Sequence, residues 1–249
     1  LYPVYGGAVV AGDRVYGANG TMLKCVDAAS GALLWSYCTT NNGGGQFNGN
    51  GIAVADGVVL AVTKNTSAFG KGAIFAIDAC TGQFLWKHES DKSYYCTTPL
   101  VQDGVVYYGM GGYGYRAARI SSGELLWQNT NVSLGAVYNG AALADGKIYV
   151  PGYYLTSINA DDGSVNWVTT VGNYVESTPA VANGKVYLAV DYVQNGVKVY
   201  DADTGAFLWR YAGYTTGHNS PAVSDGKVFF FATSTNGTER GLYAFDAAG

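Results

Sequence analysis

Apolar runs with alternating polar positions recur along the chain, each broken by a two-residue turn signal. AGDRVYGA (11–18), ADGVVLAV (55–62), QDGVVYYG (102–109), ADGKIYVP (144–151), ANGKVYLA (182–189) and SDGKVFFF (224–231) each place an Asp-Gly or Asn-Gly pair between two apolar runs. In the first copy the order is inverted, Gly12-Asp13. Such a pair between alternating runs predicts a tight β-hairpin. A second set reads LKCVDAASG, IFAIDACTG, AARISSG, TSINADDG, VKVYDADTG and LYAFDAAG. Each member is an alternating strand running into an Asp/Ser/Gly turn. A third set follows directly: GALLW (31–35), GQFLW (82–86), GELLW (123–127), GSVNW (163–167) and GAFLW (205–209).

Each unit therefore reads strand, Asp-Gly turn, strand, variable loop, strand, Asp-x-x-x-Gly turn, and an outer strand carrying Trp. The Asp-Gly anchors recur roughly every 40 residues, the period of a four-stranded propeller blade. The predicted fold is an all-β propeller of about six four-stranded blades in one domain, 1–249. The blades are approximately 1–38, 48–89, 95–130, 137–170, 175–212 and 217–249. One such sheet leaves both faces partly exposed, and stacking neighbours buries them. Trp35, Trp86, Trp127, Trp167 and Trp209 are read as packing wedges between blades. The Gly four residues earlier is read as permitting the turn, with φ above zero. The sixth Gly–Trp element is missing, so the last blade is expected to be incomplete. Either the last blade is three-stranded, or residues beyond 249 complete it, which is the preferred reading, or a strand from a neighbouring subunit does.

The repeat P-A-V-x-D-G-K-V-Y … D-x-x-T-G-x-x-x-W resembles the pyrroloquinoline-quinone (PQQ)-type propeller repeat. That family includes quinoprotein alcohol dehydrogenases and an outer-membrane assembly lipoprotein of Gram-negative bacteria. The resemblance covers nearly the whole chain. In the enzymes it implies an adjacent Cys–Cys disulfide over the quinone and a Glu/Asn/Asp set around calcium. This chain has no adjacent Cys pair, and its acidic residues mostly fall in turns, as do Asp27, Asp78, Asp161 and Asp201. No quinone-binding residue, cofactor or metal ligand is therefore carried over.

Composition narrows the picture further. Charged residues are 13% of the 249, about half the usual share, and the net charge is −4. There is no Lys/Arg run for a nucleic-acid phosphate track and no apolar stretch of membrane-spanning length. Leu1 is read as a processed end or the start of a fragment. Sequons at Asn19, Asn65, Asn131 and Asn236, an even cysteine count and low charge favour an extracellular, cell-surface or periplasmic glycoprotein.

In a four-stranded meander the stretches before each inner strand gather at one face. There they would ring the channel mouth. The candidate ligand-binding residues are Asn50, Thr97, Tyr138, Asn139, Glu176, Ser177, His218 and Asn219. A ring of amides, hydroxyls and aromatics suits a sugar or small polar ligand. The preferred reading is that these side chains cap inner-strand backbone groups and hold waters in the channel. His218 and Glu176 are the ionisable pair of this ring, with no third partner evident. His88 follows an outer-strand Trp and reads as solvated. All four sequons fall in loops of the same face. Cysteines sort by face into Cys25 with Cys80 and Cys38 with Cys96, so disulfides are expected in those pairs.

The functional reading is a secreted or cell-surface, non-catalytic propeller serving as a binding or assembly scaffold. Its partner is a protein or a neighbouring subunit, with a glycan as a further candidate. The alternatives are a quinoprotein-like oxidoreductase or carbohydrate-active enzyme with its site at the channel mouth, and a subunit of an extracellular filament or surface layer.

Overall fold

The computed structural model describes residues 7–64, 72–90, 96–110, 114–132, 140–172, 175, 177–190, 196–216, 219–234, 237 and 239–248, with the backbone alone at 48–50. It forms two compact units, Leu1–Asn131 and Val132–Gly249.

The first unit holds three four-stranded antiparallel sheets. Sheet 1 is β1 (Val9–Ala11), β2 (Arg14–Asn19), β3 (Met22–Asp27) and β4 (Leu33–Cys38). Sheet 2 is β5 (Gln46–Ala55), β6 (Val58–Lys64), β7 (Ala73–Asp78) and β8 (Phe84–Glu89). Sheet 3 is β9 (Leu100–Gln102), β10 (Val105–Gly109), β11 (Tyr115–Arg119) and β12 (Leu125–Asn129). The second unit holds sheet 4, made of β13 (Ala142–Ala144), β14 (Lys147–Val150), β15 (Tyr154–Asn159) and β16 (Val165–Thr170). Sheet 5 is β17 (Ala180–Ala182), β18 (Lys185–Ala189), β19 (Val197–Asp201) and β20 (Phe207–Tyr211). In each of these five, strands pair in chain order.

Sheet 6 departs from the rule. It comprises β21 (Tyr214–Thr215), β22 (Ala222–Ser224), β23 (Lys227–Ser234) and β24 (Arg240–Asp246). Strand β23 pairs β22 along its first half and the short β21 at its far end, while β24 pairs β23. Four strands are present, yet none of them is an outer strand beyond β24. The missing Gly–Trp element of the sixth repeat accounts for this.

The hairpins follow from turn chemistry. Both central residues have positive φ at Asp56-Gly57, Asp103-Gly104, Asp145-Gly146, Asn183-Gly184 and Asp225-Gly226. That is the type I′ pattern, whose twist matches the flanking strands. The inverted Gly12-Asp13 has positive φ at the glycine alone, as a type II′ turn requires. In the next turn of the unit a carboxylate organises the backbone. Asp78 Oδ1 accepts from the amides of Cys80 and Thr81 and from the Thr81 hydroxyl, and Asp201 does the same with Asp203 and Thr204. Each outer strand then joins with a register shift, at Cys25/Val26, Ala76/Ile77, Ala117/Ala118, Ser157/Ile158 and Val199/Tyr200. This repeated bulge leaves consecutive apolar residues such as Leu33 and Leu34 on the outer rim, both exposed.

The cores lie between neighbouring sheets. Tyr16, Leu23, Cys25 and Trp35 of sheet 1 pack on Val59, Phe75 and Ile77 of sheet 2. Leu60, Ile74 and Trp86 of sheet 2 pack on Val106 and Tyr108 of sheet 3. Sheets 4 and 5 share Tyr149, Leu155, Val186 and Tyr200, and sheets 5 and 6 share Tyr187, Val199 and Phe230.

The structure corrects the cysteine pairing: all four thiols are free. Cys25 and Cys80 do approach one another's region, but the Arg14 guanidinium stands between them, 4.0 Å from one sulfur and 3.6 Å from the other. Cys38 opens a short 3₁₀ turn and lies 3.1 Å from the Thr40 hydroxyl. Cys96 turns into the core between sheets 2 and 3, its thiol 3.5 Å from the Met110 sulfur. Burial pushes that thiol up to about 12.

Candidate functional site

Of the predicted channel-mouth ring, the side chains of Thr97, Ser177 and Asn219 are described. Asn50, Tyr138, Asn139, Glu176 and His218 lie outside the described side chains, and so does the Glu176–His218 pair. Thr97 is buried, and its Oγ1 accepts from the Gly109 amide at 2.7 Å. Ser177 is buried, and its hydroxyl donates to the Ala189 carbonyl at 2.7 Å. Both hydroxyls latch the entrance of the inner strand to the end of the second strand of the same blade. Asn219 is exposed, and its amide donates to the Thr216 carbonyl, closing its own loop. The three polar groups are thus engaged with backbone.

The next column along, which the sequence reading passed over, links blades. Gly140 N–H donates to Thr178 Oγ1 at 3.2 Å, and Thr178 N–H donates to Ser220 Oγ at 2.9 Å. Two small hydroxylic residues thereby tie the inner-strand entrances of sheets 4, 5 and 6. Their signal was the recurrence of Thr or Ser directly after the predicted ring residues Thr97, Ser177 and Asn219.

His88 is half-buried rather than solvated. Its Nδ1 lies within hydrogen-bonding distance of the Tyr108 hydroxyl, and its ring packs 5.1 Å from that of Trp86. Burial lowers its pKa, and the nearby Arg116 lowers it further. A surface cleft of about 350 Å³ opens beside it, lined by Lys87, Glu89, Arg116 and Gln128. Lys87 is committed to Glu89, at 2.5 Å, and to the Asn42 carbonyl.

Of the sequons, Asn19 ends β2 and Asn131 follows β12, and both are exposed. Asn65 and Asn236 lie outside the described residues.

The most regular chemistry sits where blades meet. Trp35 Nε1 donates to the Ala79 carbonyl at 3.0 Å, Trp86 Nε1 to Ile120 at 2.8 Å, and Trp167 Nε1 to Ala202 at 3.2 Å. The second-strand tyrosines reinforce this. The hydroxyls of Tyr16 and Tyr149 donate to the same Ala79 and Ala202 carbonyls, both at 3.2 Å, and Tyr187 donates to Ala247 at 2.9 Å. Each acceptor is the second residue of the turn that follows the third strand of the next blade: DACTG for Ala79, RISSG for Ile120, DADTG for Ala202 and DAAG for Ala247. A Cβ on the Gly of that turn would meet the indole ring: Gly82 against Trp35 at 2.7 Å, Gly123 against Trp86 at 2.8 Å, Gly205 against Trp167 at 2.5 Å. Gly and Trp of one repeat therefore do not meet. Trp35, Trp86 and Trp167 each seat on the Gly of the next repeat.

The model of the PQQ-type family described as outer membrane protein assembly factor BamB matches residues 18–150 and 117–249. The chain belongs to this family. BamB of Yersinia pestis is 25% identical over 245 residues, covering 93% of this chain and 58% of that protein. Quinohemoprotein alcohol dehydrogenase ADH IIB of Pseudomonas putida is 31% identical over 134 residues, covering 46% of this chain and 19% of the enzyme. The crystal structure of BamB from Moraxella catarrhalis superimposes with a TM-score of 0.65 at 16% identity, covering 92% of this chain and 69% of that one. The fold of this BamB-family chain is thus an all-β propeller of PQQ-like blades. It spans less than two thirds of the curated relatives it matches.

Among the described residues no His/Cys/Asp/Glu cluster has metal-ligand geometry, and no helix is long and apolar enough to cross a membrane.

Proposed function

We propose that this BamB-family propeller is a non-catalytic binding or assembly scaffold working outside the cytoplasm, at a cell surface or in a periplasm. The carrying observation is that the family model matches both units, from residue 18 to residue 249. The described ring residues support the reading, since Thr97 and Ser177 spend their hydroxyls on their own blades. Sequons at exposed Asn19 and Asn131 support export.

The partner is a polypeptide that adds a strand beside β24. That strand runs with alternating exposed and half-buried residues along the rim of sheet 6. Its outer edge offers backbone groups of the kind strand addition uses. A peptide with the outer-strand sequence GAFLWRY is the probe. Slowed amide exchange in β24 on adding it supports the reading; unchanged exchange at saturating peptide removes this partner mode.

A second reading is favoured by one observation, the 31% identity to a quinohemoprotein alcohol dehydrogenase. Purified protein incubated with pyrroloquinoline quinone and Ca²⁺ separates the two. The scaffold reading expects no quinone retained on gel filtration and no alcohol-dependent reduction of an artificial acceptor. Stoichiometric quinone with turnover replaces it by the oxidoreductase reading.

A further inference from the structure

One row of the repeat carries an unusual charge in sheet 5. In sheets 1 to 5 the residues next to the Trp pair face each other across the third and outer strands. Lys24 faces Ser36 in sheet 1, Lys87 faces Phe75 in sheet 2, and Arg116 faces Gln128 in sheet 3. Sheet 4 has no charge in this row. In sheet 5 the pair is Lys198 with Arg210. The first three sheets thus hold one cation each, and Lys87 has its own carboxylate, Glu89, at 2.5 Å. Sheet 5 sets two cations directly opposite, which is destabilising unless something neutralises them.

The pair lines a cleft beside the preceding blade. Lys198 is half-buried, and its Nζ donates to the Val171 carbonyl at 2.6 Å. An ammonium has three donors, so this bond does not exhaust it. An ideal Cβ on Gly172 would stand 3.5 Å from that nitrogen, and the glycine leaves this space open. Arg210 is exposed. The cleft measures about 520 Å³, and no carboxylate stands among its described lining residues. One wall is aromatic. Tyr200 is buried, Phe207 is 55% exposed, and their rings meet edge to face with centroids 5.8 Å apart. Burial lowers the Lys198 pKa, and Arg210 lowers it further, as expected of two cations without a counter-ion.

We propose that this cleft binds a phosphate monoester, its head between Lys198 and Arg210 and its organic body against Tyr200 and Phe207. Two cations with no acid beside them call for two negative charges, and a single carboxylate supplies one. A phosphate monoester is largely dianionic at neutral pH, its second pKa being about 6. The guanidinium fork matches two of its oxygens, and the ammonium meets the remaining charge as a point donor. The exposed Phe207 ring offers apolar contact that free phosphate cannot use. The site lies on the outer part of the blade junction, away from the β24 edge and the inner-strand entrances. It does not rest on the scaffold reading.

The test adds phenyl phosphate to the full chain at about pH 8, with inorganic phosphate and phenylacetate as parallel probes at equal ionic strength. Acylation of each lysine is followed by peptide mass mapping, with Lys24 and Lys185 as references in the same sample. The expected result is slowing of Lys198 by about fivefold or more with phenyl phosphate, less with inorganic phosphate, and little with phenylacetate. A bound dianion both covers the amine and holds it protonated. Arg210→Gln should abolish the slowing, measured as the ratio with and without probe. Gln128 occupies the equivalent place in sheet 3, so the variant keeps its fold. The unfolding temperature should rise with phenyl phosphate in the native chain and not in Arg210→Gln. Unslowed Lys198, slowing shared with Lys24 and Lys185, or slowing retained in Arg210→Gln overturns the proposal. Phenylacetate as effective as phenyl phosphate overturns the dianion, and inorganic phosphate as effective overturns the ester.

Discussion

Trp35 and Gly82 are 47 positions apart, yet the indole occupies the space that a side chain on Gly82 would need, 2.7 Å from its ideal Cβ. The same ring donates to Ala79, three residues earlier in that turn. One turn thus supplies both the shape and the acceptor for the neighbouring blade.

The paired glycines give the first prediction. Gly31 and Gly82 both have positive φ, near 70 and 74, so Ala at either is strained by about 1–2 kcal/mol. Gly82→Ala also drives a methyl into Trp35, which adds roughly 1–3 kcal/mol of overpacking. Urea unfolding should show Gly82→Ala well below Gly31→Ala. Equal midpoints would falsify the seat.

Removing indole donors separates junctions. The Ala79 carbonyl accepts from Trp35, Tyr16 and Arg14, so Trp35→Phe leaves it partnered. Sheet 2 has Leu60 where the Tyr stands elsewhere, so Ile120 depends more heavily on Trp86. Trp86→Phe should therefore destabilise by about 1–3 kcal/mol, and Trp35→Phe by only about 1 kcal/mol beyond lost packing. The reverse order in denaturant midpoints counts against the argument.

Acid sensitivity should come from the turn carboxylates. Hydrogen bonds from Ser30 hold the Asp27 pKa below its ordinary value, those from Thr81 do so for Asp78, and those from Thr204 for Asp201. A carboxylate with a depressed folded pKa contributes stability above its unfolded value, near 3.9, which is lost as pH falls through the folded value. Asn can build the same turn, since Asn159 Oδ1 accepts from the Asp161 amide. The triple variant D27N/D78N/D201N should keep its fold at neutral pH and flatten the acid limb of a stability–pH curve. An unchanged limb places the sensitivity elsewhere.

At the alkaline end the tyrosines take over. Burial raises the pKa of Tyr149 and Tyr200 to about 12, against about 10 when unfolded. The folded state resists ionisation, so stability is intact below pH 10 and declines from there towards 12. Loss of the Tyr149 proton also removes the donor to Ala202. Tyrosinate absorbance and far-ultraviolet dichroism should change together in that window. Early tyrosinate formation in a folded protein would show these hydroxyls to be accessible.

Thiol reactivity checks the corrected cysteines. Exposed Cys80 should react first with a thiol reagent and Cys38 second, its pKa lowered by a hydrogen bond with Thr40. Buried Cys25 and Cys96 should react only on unfolding. A non-reducing peptide map showing a Cys38–Cys96 link would contradict the structure.

The sequence by itself determined the blade: the Asp-Gly and Asn-Gly turns, the meander and the period. These rest on local chemistry, the positive φ of residues such as Asp56 and Gly57 or the hydrogen-bonding reach of Asp78, which a neighbouring-residue pattern displays. The inverted Gly12-Asp13 was legible for the same reason. The repeat also marked the Trp residues as wedges between blades, but which residues meet across a junction was decided by tertiary structure. That Trp35 belongs to Gly82 and not Gly31 depends on how sheets stack, and no local signal carries it. His88 turned inward to Tyr108, and Cys96 turned to Met110 and away from Cys38, because packing between sheets sets which face is covered. Gly82, Gly123 and Gly205 each receive the ring of the preceding blade, a relation that a pattern repeated in sequence does not display because it is set by how sheets stack.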